Sequence, residues 1–151
     1  MAPSFAEENS ASRHRLEQLV RGLSDEQLGL TTAYGWTVAS LLAHLAFWDQ
    51  RVLALLRRWK EKGVDLSPID ADATNEALKP LCLALAPRAA AELCLASAAA
   101  VDSELERVPP GLIEAIQATP NQFRSRRSLH RNDHLHDIEQ LLLDDRGRES
   151  V

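Results

Sequence analysis

Apolar residues recur at intervals of three and four along most of the chain, a spacing that predicts amphipathic α-helices rather than strands. Four long helices are predicted, with approximate ranges of 6–23, 38–62, 87–108 and 128–143. Helices of this kind bury their apolar stripes most completely when they pack side by side. We therefore predict an all-α fold, a four-helix bundle.

The segments between the long helices predict a crossover and two shorter helical pieces. The stretch 64–74 contains Pro68 and several aspartates, which favours a long crossover loop. A helical piece is predicted at 75–85, although Pro80 falls inside it, and a short extra helix is predicted at 112–118.

Several predicted helix ends carry the residues that usually stand there. Thr37 suits the N-cap of the second long helix and Gly63 its end, whereas Pro87 suits the first turn of the third. Residues 109–111, Pro-Pro-Gly, end the third helix. The charged residues 144–151 are predicted to form a frayed, flexible tail.

Length and composition indicate one ordinary globular unit. The chain has 151 residues, enough to bury a hydrophobic core, with 45% hydrophobic and 26% charged residues. We expect a single helical domain over 1–151. The formal net charge of −5 offers no basic surface for a phosphate backbone, so nucleic acid is not an expected partner.

The N-terminal residues and the two cysteines indicate the cellular compartment in which the protein is expected. The N-terminal residues lack both a basic region and an apolar stretch, and no segment is long and apolar enough for a bilayer. We therefore expect a cytoplasmic protein without a membrane span. Cys82 and Cys94 have neither zinc-site nor redox spacing, and both are predicted to be free thiols in the core.

Two histidines of the last helix are predicted to face the bundle interior. Positions four apart lie on one helical face, and the line through His130 and His134 continues to Ile138 and Leu142. His136 is two residues from His134 and therefore points elsewhere. The interior face of this helix thus carries a His-x-x-x-His pair.

A third histidine belongs to the apolar stripe of another helix. His44 falls between Leu41 and Trp48 in the second long helix, whereas His14 lies opposite the stripe of the first. His14 and His136 are therefore predicted to face solvent, and His44 remains as a possible partner for the interior pair.

Imidazoles in this arrangement are suited to a metal ion. Residues four apart have β-carbons about 5–6 Å apart, so both rings can reach one ion, and a facing helix can supply the third ligand. Three protein ligands would leave coordination positions open. The alternative is a set of hydrogen-bonded core histidines. Because His130 is followed by Arg131 rather than Glu, the metalloprotease motif is absent.

Two segments resemble a known family. Residues 35–49, GWTVASLLAHLAFWD, and residues 130–138, HRNDHLHDI, are similar to the motifs of the DinB-like (DinB/YfiT) superfamily. The pair Glu8-Asn9, with the leucines that follow it, fits the first helix of that superfamily more loosely. Together these matches are spread over most of the chain.

The resemblance implies a four-helix bundle, often a homodimer, with one divalent metal held by His44, His130 and His134. Zinc, nickel, iron and manganese are all compatible occupants. It also implies a small-molecule substrate and either a thiol-dependent S-transferase, using a low-molecular-weight thiol such as bacillithiol or mycothiol, or a metal-dependent hydrolase. The alternative is a non-catalytic dimeric helical module with a structural or vestigial metal site.

Carboxylates near the histidines have two interpretations. Asp133 and Asp137 either orient a ligand imidazole or are solvated charges on the helix surface. Asp49 and Glu8 are candidates for a supporting or basic group, but no spacing argument assigns either to the site.

Arginines and one tryptophan leave similar alternatives open. Arg124, Arg126, Arg127 and Arg131 crowd the entrance to the last helix, where they either steer a carboxylate-bearing thiol or substrate towards the metal or form a solvated loop. The three tryptophans fit packing anchors, and Trp48 is close enough in phase to His44 to form a wall of the metal pocket.

Overall fold

The computed structural model describes residues 4–149, and within that range it contains helices and no strand. An isolated backbone bridge joins Thr31 and Thr37 ahead of the third helix. The helices are α1 (Phe5–Arg21), α2 (Asp25–Leu28), α3 (Val38–Lys62), α4 (Ala71–Ala84), α5 (Pro87–Glu106), α6 (Leu112–Gln117) and α7 (Arg127–Glu149).

Four of these helices form the predicted bundle. The helix α5 packs between α1 and α3, and α7 closes the ring by contacting both α1 and α3. The shorter α4 packs on the outside of α3, and α6 is the predicted short extra helix. The all-α prediction is therefore confirmed.

The largest helix pairing, between α3 and α5, depends on small side chains. The buried stripe of α5 includes Ala90, Ala91, Ser97 and Ala98. Small side chains let two helix axes approach closely, so the large leucines of α3 can fill the space between them. Leu93 of the same helix, by contrast, is 46% exposed.

The crossover is shorter than predicted. The Asp70 side chain accepts a hydrogen bond from the backbone N–H of Ala73 and so caps α4, which begins at Ala71 instead of 75. Pro80 lies inside α4, where both it and Glu76 are exposed. Water can therefore hydrate the Glu76 carbonyl, which has no N–H partner at Pro80.

The ends of α3 agree with the predicted caps. The Thr37 side chain accepts a hydrogen bond from the backbone N–H of Ser40, and Gly63 follows the last turn with a φ of 84°. The helix α7 begins at Arg127 and continues past the predicted end at 143 to Glu149. Residues 150–151 of the predicted tail lie outside the described residues.

Among the helices described, none combines the length and the apolar character that a membrane span requires.

Candidate metal centre

The histidine side chains of α3 and α7 meet inside the bundle. His44 comes from α3, whereas His130 and His134 lie one turn apart on α7. The Nε2 atom of His130 is 3.1 Å from Nε2 of His44 and 3.2 Å from Nε2 of His134. The structure thus brings together the three histidines that the sequence singled out.

The spacing of these nitrogens matches the spacing of nitrogens bound to one metal ion. With metal–nitrogen bonds of about 2.0–2.1 Å, two nitrogens on one ion are about 2.9–3.4 Å apart for octahedral to tetrahedral angles. Both measured separations fall in that range. The donor set, three imidazoles from two helices, therefore fits a divalent transition metal.

The surroundings of the cluster keep its imidazoles neutral. Burial, with a smaller effect of His134, lowers the pKa of His44 to about 4. Burial and the neighbouring positive groups lower the pKa of His130 to about 2. Burial also lowers the pKa of His134, against the opposing effect of Asp137 and Asp133. Neutral imidazoles with converging lone pairs are the form that binds metal.

The other two histidines lie apart from this cluster. His14 is exposed on α1, as predicted. His136 is also exposed, but its side chain lines the larger of two clefts that reach the cluster. It therefore belongs to the surroundings of the site without being near the converging nitrogens.

The support for the imidazoles is uneven. Asp137 Oδ2 lies 3.8 Å from Nδ1 of His134, too far for a hydrogen bond, and Asp133 is exposed. Within residues 4–149, the buried Nδ1 atoms of His44 and His134 have no hydrogen-bond partner. Of the two aspartates considered from sequence, Asp137 is thus the one close to a histidine ring.

Asp49 holds an arginine beside the cluster. Its buried carboxylate accepts a hydrogen bond from Nε of Arg127 at 2.7 Å, and Nη2 of Arg127 lies 3.5 Å from Nδ1 of His130. Asp49 is only 2% exposed and is occupied by this ion pair. Its position therefore indicates a role in holding Arg127 in place rather than in proton transfer.

The arginines that precede and open α7 do not form one surface. Arg131 is 1% exposed and donates to both carboxylate oxygens of Asp102, at 2.9 and 2.7 Å. Arg126 pairs with Glu8 at the surface, and Arg124 is exposed beside the cluster. Interpreting all four as a solvated loop is wrong, because Arg127 and Arg131 are buried.

Two clefts meet at the histidines. The larger, of about 610 Å³, extends along the C-terminal part of α7, and the smaller, of about 390 Å³, extends toward its N-terminal end. His44, His130 and Asn75 line both clefts. A ligand in either cleft would therefore reach the same point.

Aromatic side chains wall the site on both sides. Trp48 lines the smaller cleft and donates a hydrogen bond from Nε1 to Asn75 Oδ1 at 3.0 Å, so the predicted wall is confirmed. The ring of Trp36 stands edge-on to His44 at 5.4 Å and lines the larger cleft. Trp59, by contrast, is a core residue.

Sequence reasoning missed three residues of the site: Trp36, Asn75 and Arg51. Trp36 precedes α3, so helix phase did not place it, and Asn75 reaches the site only because α4 packs on α3. Arg51 had a usable signal, because it lies seven residues after His44 on the same helical face.

The cysteines are separate from the site, as predicted. Both are buried, and neither lines the two clefts. Burial, with a smaller effect of Asp49, raises the pKa of the Cys94 thiol to about 12. A thiolate nucleophile is therefore not available at Cys94 near neutral pH.

Comparison with known proteins identifies a family. A family model described as the DinB superfamily matches residues 8–143, a range that contains all three clustered histidines. Searches of curated proteins and of solved structures returned no match to this chain.

Proposed function

Because the chain belongs to the DinB superfamily, we propose that it is a metal-dependent enzyme, a thiol-dependent S-transferase or a hydrolase. The observation that carries this proposal is the convergence of the Nε2 atoms of His44, His130 and His134. Zinc, nickel, iron and manganese are all compatible with this nitrogen donor set.

The arrangement around the cluster supports catalysis over a closed structural site. Three protein ligands would leave positions open, and two clefts lead to them. A divalent metal held there would supply Lewis acidity to a water or thiol that enters an open position. Trp36 and Trp48 would exclude bulk water, and the residues that line the two clefts would hold the reactants.

Two clefts on either side of His130 favour thiol transfer over hydrolysis. A transferase must bring two reactants, a thiol and an electrophile, to one point, whereas hydrolysis needs one organic reactant and water. In transfer, a new bond forms between the thiol sulfur and the electrophile, and the thiol proton leaves with the displaced group. A low-molecular-weight thiol is thus the proposed cosubstrate.

Elemental analysis of tag-free protein tests the metal site. The wild type should carry close to one metal per chain, and folded His44→Ala and His134→Ala variants should lose it. His14→Ala is the matched control, because His14 is exposed on α1 and should leave metal content unchanged. A wild type that takes up no zinc, nickel, iron or manganese on reconstitution would contradict the proposal.

A reaction panel then separates the functions. Transfer should consume a thiol and a chromogenic electrophile together, whereas a hydrolase should cleave a nitrophenyl ester without thiol. A metal-loaded protein that is inactive in both assays, and whose metal affects only stability, would match a non-catalytic helical module.

Homodimer formation and a cytoplasmic location stay predictions.

A further inference from the structure

The smaller of the two clefts carries a concentration of positive charge. Three arginines line it, Arg51 from α3, Arg124 from the segment before α7 and Arg127 from the first turn of α7. Among the residues that the structure describes, no aspartate or glutamate lines this cationic cleft. The larger cleft differs, because Asp137 and Asp144 line it.

Two of the three arginines keep their charge uncompensated. Arg127 is paired with Asp49. In the described part of the chain, Arg51 donates hydrogen bonds only to backbone carbonyls, those of Gln122 and Ser67, at 2.8 and 3.1 Å. Within residues 4–149, neither Arg51 nor Arg124 forms an ion pair with a carboxylate, so both retain affinity for an anion.

Arg51 is held in place before any ligand arrives. Its two carbonyl contacts come from separate segments, one before α4 and one before α7, and they restrain the guanidinium. A restrained guanidinium loses less side-chain entropy on binding a ligand than a free one does. Burial lowers the pKa of Arg51, but an arginine remains protonated at neutral pH.

The charges lie within reach of the histidine cluster. His44, Trp48 and Arg51 lie on one face of α3, and a rise of 1.5 Å per residue places Arg51 about 10 Å along the axis from His44. Arg124 lines the same cleft as His44 and His130.

The remaining walls of the cationic cleft are partly apolar. Trp48, Val52 and Phe123 contribute hydrophobic surface beside the arginines. Such a combination suits a ligand with one anionic end and an apolar body.

We infer that the cationic cleft binds the carboxylate of a small, partly apolar substrate, with Arg51 and Arg124 contacting the carboxylate and the reactive group at the histidine cluster. This inference rests on the proposed function and adds the substrate class. A separation of about 10 Å between the backbone positions of His44 and Arg51 suits a small substrate.

Calorimetric titration of zinc-reconstituted protein with phenylacetate and with the uncharged phenylacetamide tests the inference. The two probes have similar shapes and differ mainly in charge. Phenylacetate should bind at least tenfold more tightly, and its affinity should fall at high salt. Equal affinities for the two probes would overturn the inference.

Single-arginine variants assign the preference to the cationic cleft. Arg124→Gln should weaken phenylacetate binding by about three- to tenfold without affecting phenylacetamide, by loss of one charge-assisted contact of about 0.7–1.4 kcal/mol. Arg51→Gln should do the same if its fold is intact by circular dichroism. Arg57→Gln, an exposed residue of the same helix outside both clefts, is the matched control.

Zinc content, measured on each variant, keeps the two proposals apart. Loss of charge selectivity in Arg124→Gln at unchanged zinc content supports the carboxylate site. Unchanged selectivity in Arg124→Gln, or an equal loss in Arg57→Gln, contradicts it while the metal site stands. If the wild type binds no zinc but Arg124→Gln still loses selectivity, the cleft assignment holds and the proposed function fails.

Discussion

At the scale of single residues, identical side chains differ according to what surrounds them. His44 is buried against two tryptophans and two further histidines, whereas His14 is exposed on α1. The arginines differ in the same way, since Arg131 is enclosed by carboxylates and Arg126 lies at the surface. Burial therefore decides how much each charge contributes to stability.

Arg131→Ala should lower the free energy of unfolding by about 3–5 kcal/mol, because it would leave the carboxylates of Asp49 and Asp102 buried with too few partners. Denaturant titration measures this loss. Arg126→Ala removes an exposed ion pair and should change stability by less than about 1 kcal/mol. Similar losses in both variants would contradict the assigned burial.

Cys94 should resist thiol reagents in the folded protein. Its thiol is buried and its pKa is raised to about 12, so almost no thiolate is available at pH 8. A Cys82→Ser variant isolates Cys94, and its labelling by a disulfide reagent should become fast only in denaturant. Rapid labelling of the folded variant would show that Cys94 is accessible.

At the scale of elements, α7 is positioned by a side chain of α1. Asn9 is 1% exposed, and its Oδ1 accepts a hydrogen bond from the backbone N–H of Ser128 at 2.9 Å. Its Nδ2 donates to the carbonyl of Ser125 at 2.8 Å. Asn9 therefore satisfies the start of the helix that carries His130 and His134, a role usually taken by a local cap.

Asn9→Ala should lower the free energy of unfolding by about 1–3 kcal/mol, because the N–H of Ser128 would be buried without a partner. Metal affinity should fall with it, since α7 would lose its fixed register beside α3. Thermal unfolding and metal titration measure the two effects. Asn9→Asp keeps an oxygen that can accept from Ser128 and should lose less stability than Asn9→Ala. An equal loss of stability in the two variants would indicate that this acceptor contact is unimportant.

Helix ends were predicted correctly where a recognised cap residue or a glycine stands at the boundary. Thr37 and Gly63 delimit α3 as predicted, since cap and end lie within the segment. The start of α4 was misplaced because Asp70 was assigned to a loop although its side chain caps the helix. The periodicity of α5 does not show how closely it approaches its neighbours, which depends on small buried residues such as Ala90 and Ala98.

At the scale of the whole molecule, the three histidines link two helices that are separate in sequence. A ligand that binds only the folded state stabilises it, by about 2.7 kcal/mol at one hundred times its dissociation constant. Metal bound to His44 of α3 and to His130 and His134 of α7 should therefore raise the stability of the entire bundle.

Chelation should accordingly lower the Tm of the metal-loaded protein by several degrees, and added zinc should restore it. Folded His134→Ala should show a much smaller response to both treatments. Differential scanning calorimetry with and without chelator measures the shift. An equal response in wild type and His134→Ala would mean that the stabilising metal binds elsewhere.

The long helices and the inward direction of three histidines could be predicted from the sequence, because helical periodicity and i, i+4 spacing are local properties of the chain. His130 and His134 share a face in any α-helix, and the apolar stripe of α3 directs His44 inward. These relations do not depend on how the helices are arranged.

The packing of the helices brought His44 to the α7 pair and set what surrounds the cluster. The enclosure of Arg131, the capping of α7 by Asn9 and the meeting of two clefts at His130 join residues far apart in the chain. Such contacts depend on which helices become neighbours and at what distance, and the periodicity of a single helix carries no information about either.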